Sequence, residues 1–421
     1  MLRAPRTSHP YWDYELRCLT AAVLLALLAA GAAAAEPGLT RVFIDCYACD
    51  LDYIRTEIPF VDQVRDPEQA QVHVLATTQP TGAGGTELTF AFIGREGWAG
   101  SSDTLRAVWA PADTDEERRA AVVRTLKLGL IRYVAGTPAA KDIAITYSGT
   151  GAADAAADPW RSWVFTESVN SAMSGQHARK SVSLNASLSA SRVTAPAKIN
   201  LNGWVNYGDE KFETDSGRIR SVTRDQGAYA LWVKSLGEHW SAGARGTLNA
   251  STYNNMKLAV AAGPAVEYDF FPYSQSTRRQ LRFLYGVNYN SYRYREETIY
   301  EKTYENLYDH SLTVSLEATE KWGSAYLSLQ GSHYLHDIHK NNLQVTADLS
   351  LRLWEGLSLR LFATGSRVRD QLFLPRGGAT EEEILLERSA LATQYTYNSS
   401  VGLSYTFGSI HNNVVNPRFG A

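Results

Sequence analysis

Residues 394–407 constrain the fold of this chain more than any other stretch. The even positions read Gln, Thr, Asn, Ser, Gly, Ser and Thr, while Tyr395, Tyr397, Val401, Leu403, Tyr405 and Phe407 fill all but one of the odd positions. Successive side chains of a strand point to opposite faces, so an extended conformation gives one small, polar face and one apolar face with aromatics at both ends. A strand of an outer-membrane barrel needs that division, with an apolar band between aromatic girdles toward lipid and a polar face toward the lumen.

The alternation recurs upstream. Val182, Leu184, Ala186, Leu188 and Ala190 alternate with Ser183, Asn185, Ser187 and Ser189; Leu312, Val314 and Leu316 oppose Ser311, Thr313, Ser315 and Glu317; Leu343, Val345, Ala347, Leu349 and Leu351 oppose Gln344, Thr346, Asp348, Ser350 and Arg352. A period of two over so many segments belongs to strands. Strands are expected over residues 161–174, 179–194, 196–212, 217–235, 239–252, 256–271, 279–298, 304–320, 324–337, 341–354, 357–374 and 388–407. Odd-to-even connections are long and polar, including 209–218, 295–306, 336–342 and 374–386, whereas even-to-odd ones such as 321–323 and 354–356 are short. Long outer loops and short periplasmic turns are the rule for these barrels, and an even strand count returns both ends to one side. A water-soluble β-sandwich is the competing fold. Aromatics at strand ends and the length of the strands weigh against it.

Composition supplies exclusions. The 421 residues hold 41 Lys+Arg against 44 Asp+Glu, so no basic field points to nucleic acid. The longest apolar run after the leader, residues 258–266, is too short for a membrane-spanning helix. Residues 1–35 read as a signal peptide, with Arg3, Arg6 and Arg17 before an apolar stretch at 19–30 and small residues at 33–35, giving a mature start near Glu36. Cys18 precedes the apolar stretch, against a lipoprotein, and the mature chain keeps Cys46 and Cys49.

Residues 36–138 read as a small periplasmic α/β domain of order β-α-β-β-β-α. A short apolar run at 41–45 precedes the Cys pair, and a helical stretch carries Tyr53, Ile54, Ile58 and Val61 with a kink at Pro59. Strands follow at 71–78, 87–94 and 105–110, the first two joined by a Gly-rich hairpin that includes Gly82 to Gly85 and lacks the Lys-Ser/Thr of a phosphate loop. Thr114 and Glu117 form a capping box for a helix with Val122, Val123, Leu126, Leu130, Tyr133 and Val134 on one face. The order resembles the small α/β domains of TolB and of the curli-secretion lipoprotein. Residues 139–158 read as a linker, strand-like only at 143–147, before a barrel over 159–407 and a periplasmic tail over 408–421.

Ser400, Gly402, Tyr405 and Phe407 resemble the terminal assembly signal of bacterial outer-membrane barrels, displaced here from the chain end by residues 408–421. The mature chain also resembles a family of bacterial outer-membrane barrel proteins with a small N-terminal α/β domain, through residues 45–50, 52–58, 263–273, 297–300 and 413–419. That resemblance implies outer-membrane lipid and the barrel-assembly machinery as partners. It implies no activity and no cofactor.

The candidate chemistry is sparse. Cys46 and Cys49, at a strand-to-helix junction, read first as a structural disulfide suited to the oxidising periplasm, with a redox-active pair as the alternative. Glu267, Asp269, Glu317, Asp348, Arg352 and Arg360 carry lumen parity, and mixed signs either line a narrow aqueous path or pair into a plug. His333, beside Ser332, and His336, beside Asp337, are the nearest approach to a hydrolase site, without a recognisable nucleophile-plus-base motif. Three functions follow as expectations: a narrow channel or transporter for small solutes, an envelope anchor whose periplasmic domain binds a partner, and a barrel hydrolase.

Overall fold

The computed structural model describes residues 39–146, 158–214, 217–378 and 389–408. The expected leader, Cys18, Tyr147, residues 381–383 and the tail beyond Gly408 lie outside the described residues.

The N-terminal unit comprises β1 (Thr40–Asp45), α1 (Leu51–Glu57), β2 (Val61–Gln63), β3 (Val72–Pro80), β4 (Thr86–Gly94), β5 (Ser102–Trp109) and α2 (Asp115–Val134). Its sheet has the order β2-β1-β3-β4-β5, with β1 parallel to β2 and β3 and the other pairs antiparallel. Val42, Val72, Val74, Leu88, Phe90 and Phe92 pack against Val122, Leu126, Leu130 and Tyr133 of α2 in one buried cluster. The capping box opens α2, with the Thr114 hydroxyl accepting from the Glu117 amide and Glu117 accepting from the Thr114 amide.

Two expectations here are corrected. Ile58 and Val61 do not continue the first helix, because Pro59 lacks an amide hydrogen and forces its neighbour out of the helical region. Helix α1 ends at Glu57, and Val61 starts a short strand that extends the sheet edge, so the order is β-α-β-β-β-β-α. Residues 138–142 form a short 3-10 helix, and the described part of 143–147 is not a strand.

The second sheet comprises β6 (Trp163–Gly175), β7 (Arg179–Val193), β8 (Ala197–Thr214), β9 (Gly217–Ser235), β10 (Trp240–Ser251), β11 (Met256–Asp269), β12 (Arg279–Tyr294), β13 (Tyr304–Glu320), β14 (Gly323–Tyr334), β15 (Asp337–Trp354), β16 (Leu357–Val368) and β17 (Tyr395–Tyr405). All twelve lie in sequence order and pair antiparallel. Several of the connections expected to be long are shorter, because polar residues there extend the hairpins: Asp209 to Glu213 pair with Val222 to Arg218, and β14 turns into β15 through Leu335 and His336 alone.

The register fixes the two faces. Leu312, Leu327, Leu343 and Leu403 lie on one, while Thr313, Ser328, Thr346 and Ser400 lie on the other. The sheet curls, since loops from opposite sides meet, but β6 and β17 do not hydrogen-bond to each other and every residue of β17 is exposed. The structure is therefore a barrel-like sheet open along one seam rather than the closed cylinder expected. Among the described residues no helix is long and apolar enough to cross a membrane, which says nothing about strands.

Candidate functional site

The inward face of the sheet holds the polar side chains able to act on a solute. A chamber of about 450 Å³ near the short-turn end is lined by Lys198, Tyr229, Arg245, Glu267, Tyr273 and Arg282, with Leu231, Val233 and Leu284 among them. Of the expected lumen charges, Glu267 accepts from the Tyr273 hydroxyl at 2.8 Å, and Glu317 pairs with Arg282 at 2.8 Å. Asp269 lines no path: it is fully buried and accepts from the amides of Phe271 and Leu281, fastening the β11–β12 turn. Asp348 and Arg360 keep inward parity on β15 and β16.

Lys198, Arg245, Arg282 and Tyr273 escaped the sequence reading. Arg245 shares parity with Ser241, Gly243 and Thr247, so the period-two signal was there to find. Among the described residues its guanidinium donates only to neutral oxygens, Asn288 Oδ1 at 3.4 Å and Ser311 Oγ at 3.3 Å. Asn288 and Asn290 in turn donate to Asp309, at 3.1 and 2.5 Å. A cation in mid-lumen is thus linked through one amide to a carboxylate nearer the long-loop end.

That long-loop end is covered. The segment following β16 reaches the loops preceding β11 and β13. Thr298 bridges Pro375, the Ile299 amide donates to Leu374 oxygen at 2.9 Å, and Asn255 donates to the oxygens of Glu296 and Phe373. Leu372, Leu374, Met256 and Tyr294 are buried in this strap, and Arg376 pairs with Glu297 and Glu301.

At the short-turn end the N-terminal unit sits against the sheet. Arg352, expected in the lumen, instead pairs with Asp45 at 2.6 Å, lies over the Phe43 ring at 4.9 Å and donates to the Lys321 carbonyl. A bulge between Arg352 and Trp354 breaks the register there. The other Asp45 oxygen lies 3.5 Å from Nε2 of the fully buried His73. Burial opposes ionisation of Asp45, but the bonds to His73 and Arg352 outweigh it and hold the carboxyl below its ordinary value. Gly356, at the left-handed position of the β15–β16 turn (φ 70°), donates its amide to Asp66 at 2.9 Å. Arg65 donates to the carbonyls of Phe407 and Gly408, just past β17. On the other side of the seam, Gly82 lies so close to Val193, at the end of β7, that a β-carbon there would collide, and Gly84 lies beside Val164 of the edge strand β6. The unit therefore touches both margins of the open seam.

Cys46 and Cys49 are joined by a disulfide, Cα atoms 5.5 Å apart, immediately before α1. His333 contacts neither Ser332 nor a carboxylate through its ring; it faces His310, and His336 stacks loosely on Tyr334 with centroids 5.8 Å apart. Ser400, Gly402 and Tyr405, expected from the sequence to form an assembly signal, lie on β17, with Phe407 just beyond it and stacked on Tyr405.

No family model and no curated protein matches the sequence. Among solved structures, the porin NanC is similar over 57% of this chain and 99% of its own, at 10% identity and a TM-score of 0.28. A score that low carries no argument by itself. This chain's own sheet is a barrel-like array of twelve antiparallel strands preceded by a small α/β unit.

Proposed function

We propose that this protein is an integral outer-membrane barrel that passes small solutes through a narrow lumen, with the N-terminal unit and short turns in the periplasm and the strap on the outside. The carrying observation is the divided sheet: apolar residues outward, and inward a chamber of about 450 Å³ that sets Lys198, Arg245, Glu267 and Arg282 among smaller apolar residues, Arg245 having no carboxylate partner among the described residues. Strands that present lipid with aliphatic and aromatic residues can cross a bilayer only if the edges also pair, because unpaired backbone groups in hydrocarbon cost several kcal/mol each. Reconstitution into planar bilayers tests the reading. Discrete conductance steps that rise when residues 369–378 are deleted support a path held shut by the strap; a silent bilayer with both proteins removes it.

A second reading has one observation in its favour. The α1–α2 side of the N-terminal unit carries a groove with Leu128 62% exposed and Ile145 77% exposed, a surface on which a periplasmic protein could dock. In that reading the barrel is an anchor. Crosslinking in intact cells that captures no protein through cysteines placed at Leu128 and Ile131 counts against it. The hydrolase reading gains no support from the surroundings of His333.

A further inference from the structure

The outward face of the sheet carries a pair of histidines that neither the solute path nor the interface with the N-terminal unit uses. His310 of β13 and His333 of β14 are directly opposed in the register, and their Nε2 atoms face each other at 2.5 Å with ring centroids 4.2 Å apart. Both outer nitrogens have an oxygen in reach: His333 Nδ1 lies 3.1 Å from the Tyr334 carbonyl, and His310 Nδ1 lies 3.0 Å from the Tyr285 hydroxyl. The carbonyl only accepts, so Nδ1 of a neutral His333 carries the hydrogen and its Nε2 is a bare lone pair. His310 then donates from Nε2 and accepts from Tyr285.

We infer that this pair is a binding site for a divalent first-row transition ion such as Cu²⁺ or Zn²⁺. The arrangement meets the demand that a ligating imidazole hold its other nitrogen on an oxygen acceptor. The proton balance also closes. The His310 hydrogen passes from Nε2 to Nδ1, the Tyr285 hydroxyl turns to accept it, and two Nε2 lone pairs converge with no net proton released. Bonds of about 2.0–2.1 Å to a tetrahedral ion set two nitrogens roughly 3.3 Å apart, so the rings need to part by under 1 Å. Among the described residues no three His, Cys, Asp or Glu side chains converge, so the protein supplies two ligands and the remaining positions fall to water or to anionic oxygens. Access is consistent with that. His333 is the penultimate residue of β14, and His310 stands one outward position from Tyr308, which is 56% exposed in a cluster with Tyr289, so the pair lies at an aromatic rim that headgroups and water reach.

Copper titration of the full-length protein in detergent, read by electron paramagnetic resonance, decides the matter. One Cu²⁺ per chain with hyperfine structure from two imidazole nitrogens is expected. His310→Asn and His333→Asn each abolish that signal, and Tyr285→Phe, which removes an acceptor while leaving both ligands, weakens uptake about 10-fold. Wild-type protein that takes up no stoichiometric copper overturns the inference. So does a two-nitrogen signal that survives in both histidine variants, since it then comes from other histidines.

Discussion

Single residues show how little space the N-terminal unit leaves. Gly129 of α2 presses on the Phe92 ring so closely that a β-carbon would overlap it. Gly129→Ala is therefore expected to destabilise that unit by about 1–3 kcal/mol through overpacking, seen as a lower melting temperature with unchanged helix content in the folded protein. The apolar spacing of α2 was plain in the sequence, and the requirement for glycine was not, because it belongs to the approach of a strand 37 residues upstream (129 − 92). Arg352 teaches the same lesson from the other side. Alternation gave its parity, but its partner Asp45 lies in another unit. Arg352→Ala is expected to loosen the two units and lengthen a spin-label distance between β4 and β15. Asp45 titrates below its ordinary value, so the contact contributes fully above pH 3.8 and is lost as pH falls through the depressed value. The same distance should then lengthen in wild-type protein as pH falls through that depressed value, and no change under such acid would disprove the assignment.

Among elements, the barrel strands were the most legible part of the chain. Eleven or more residues of alternating character set the facing of each strand, and the expected twelve agree with the observed ones to within a few residues except where hairpins extend, where β12 and β16 end early at Tyr294 and Val368, and where β17 starts late at Tyr395. Connections were the least legible. Polar residues at 209–213 pair as strand, because a hairpin needs only backbone hydrogen bonds to extend and no apolar face. The strap after β16 was read as the end of a strand through residue 374 and then a long polar connection over 374–386, whereas β16 ends at Val368 and leaves residues 369–374 to the strap. Its Leu372 and Leu374 find cover only on loops far away in sequence. Because Thr298 and Pro375 are bridged, cysteines at both positions are expected to form a disulfide on oxidation. That bond should abolish conductance, and reductant should restore it. Conductance indifferent to the bond would show that the strap does not close the path.

For the whole molecule, the seam is the decisive feature. Among the described residues no strand pairs with the free edges of β6 and β17, a state that water tolerates and hydrocarbon does not. In bilayer or detergent micelle the two edges are expected to pair. Hydrogen exchange should then protect the amides of β6 and β17 as strongly as those of β9 and β10; fast exchange confined to the two edge strands would mean the sheet stays open. The N-terminal unit touches both margins, through Gly84 beside Val164 of β6 and Arg65 just past β17, which positions it to hold them near each other. The sequence by itself determined the strand count, the two faces, the capped helix and the Cys pair, since each depends on neighbours within a few residues. Only the tertiary structure decided the Arg245 chamber, the strap, the Asp45–Arg352 contact and the facing histidines, since each joins side chains from separate elements whose meeting no local period encodes.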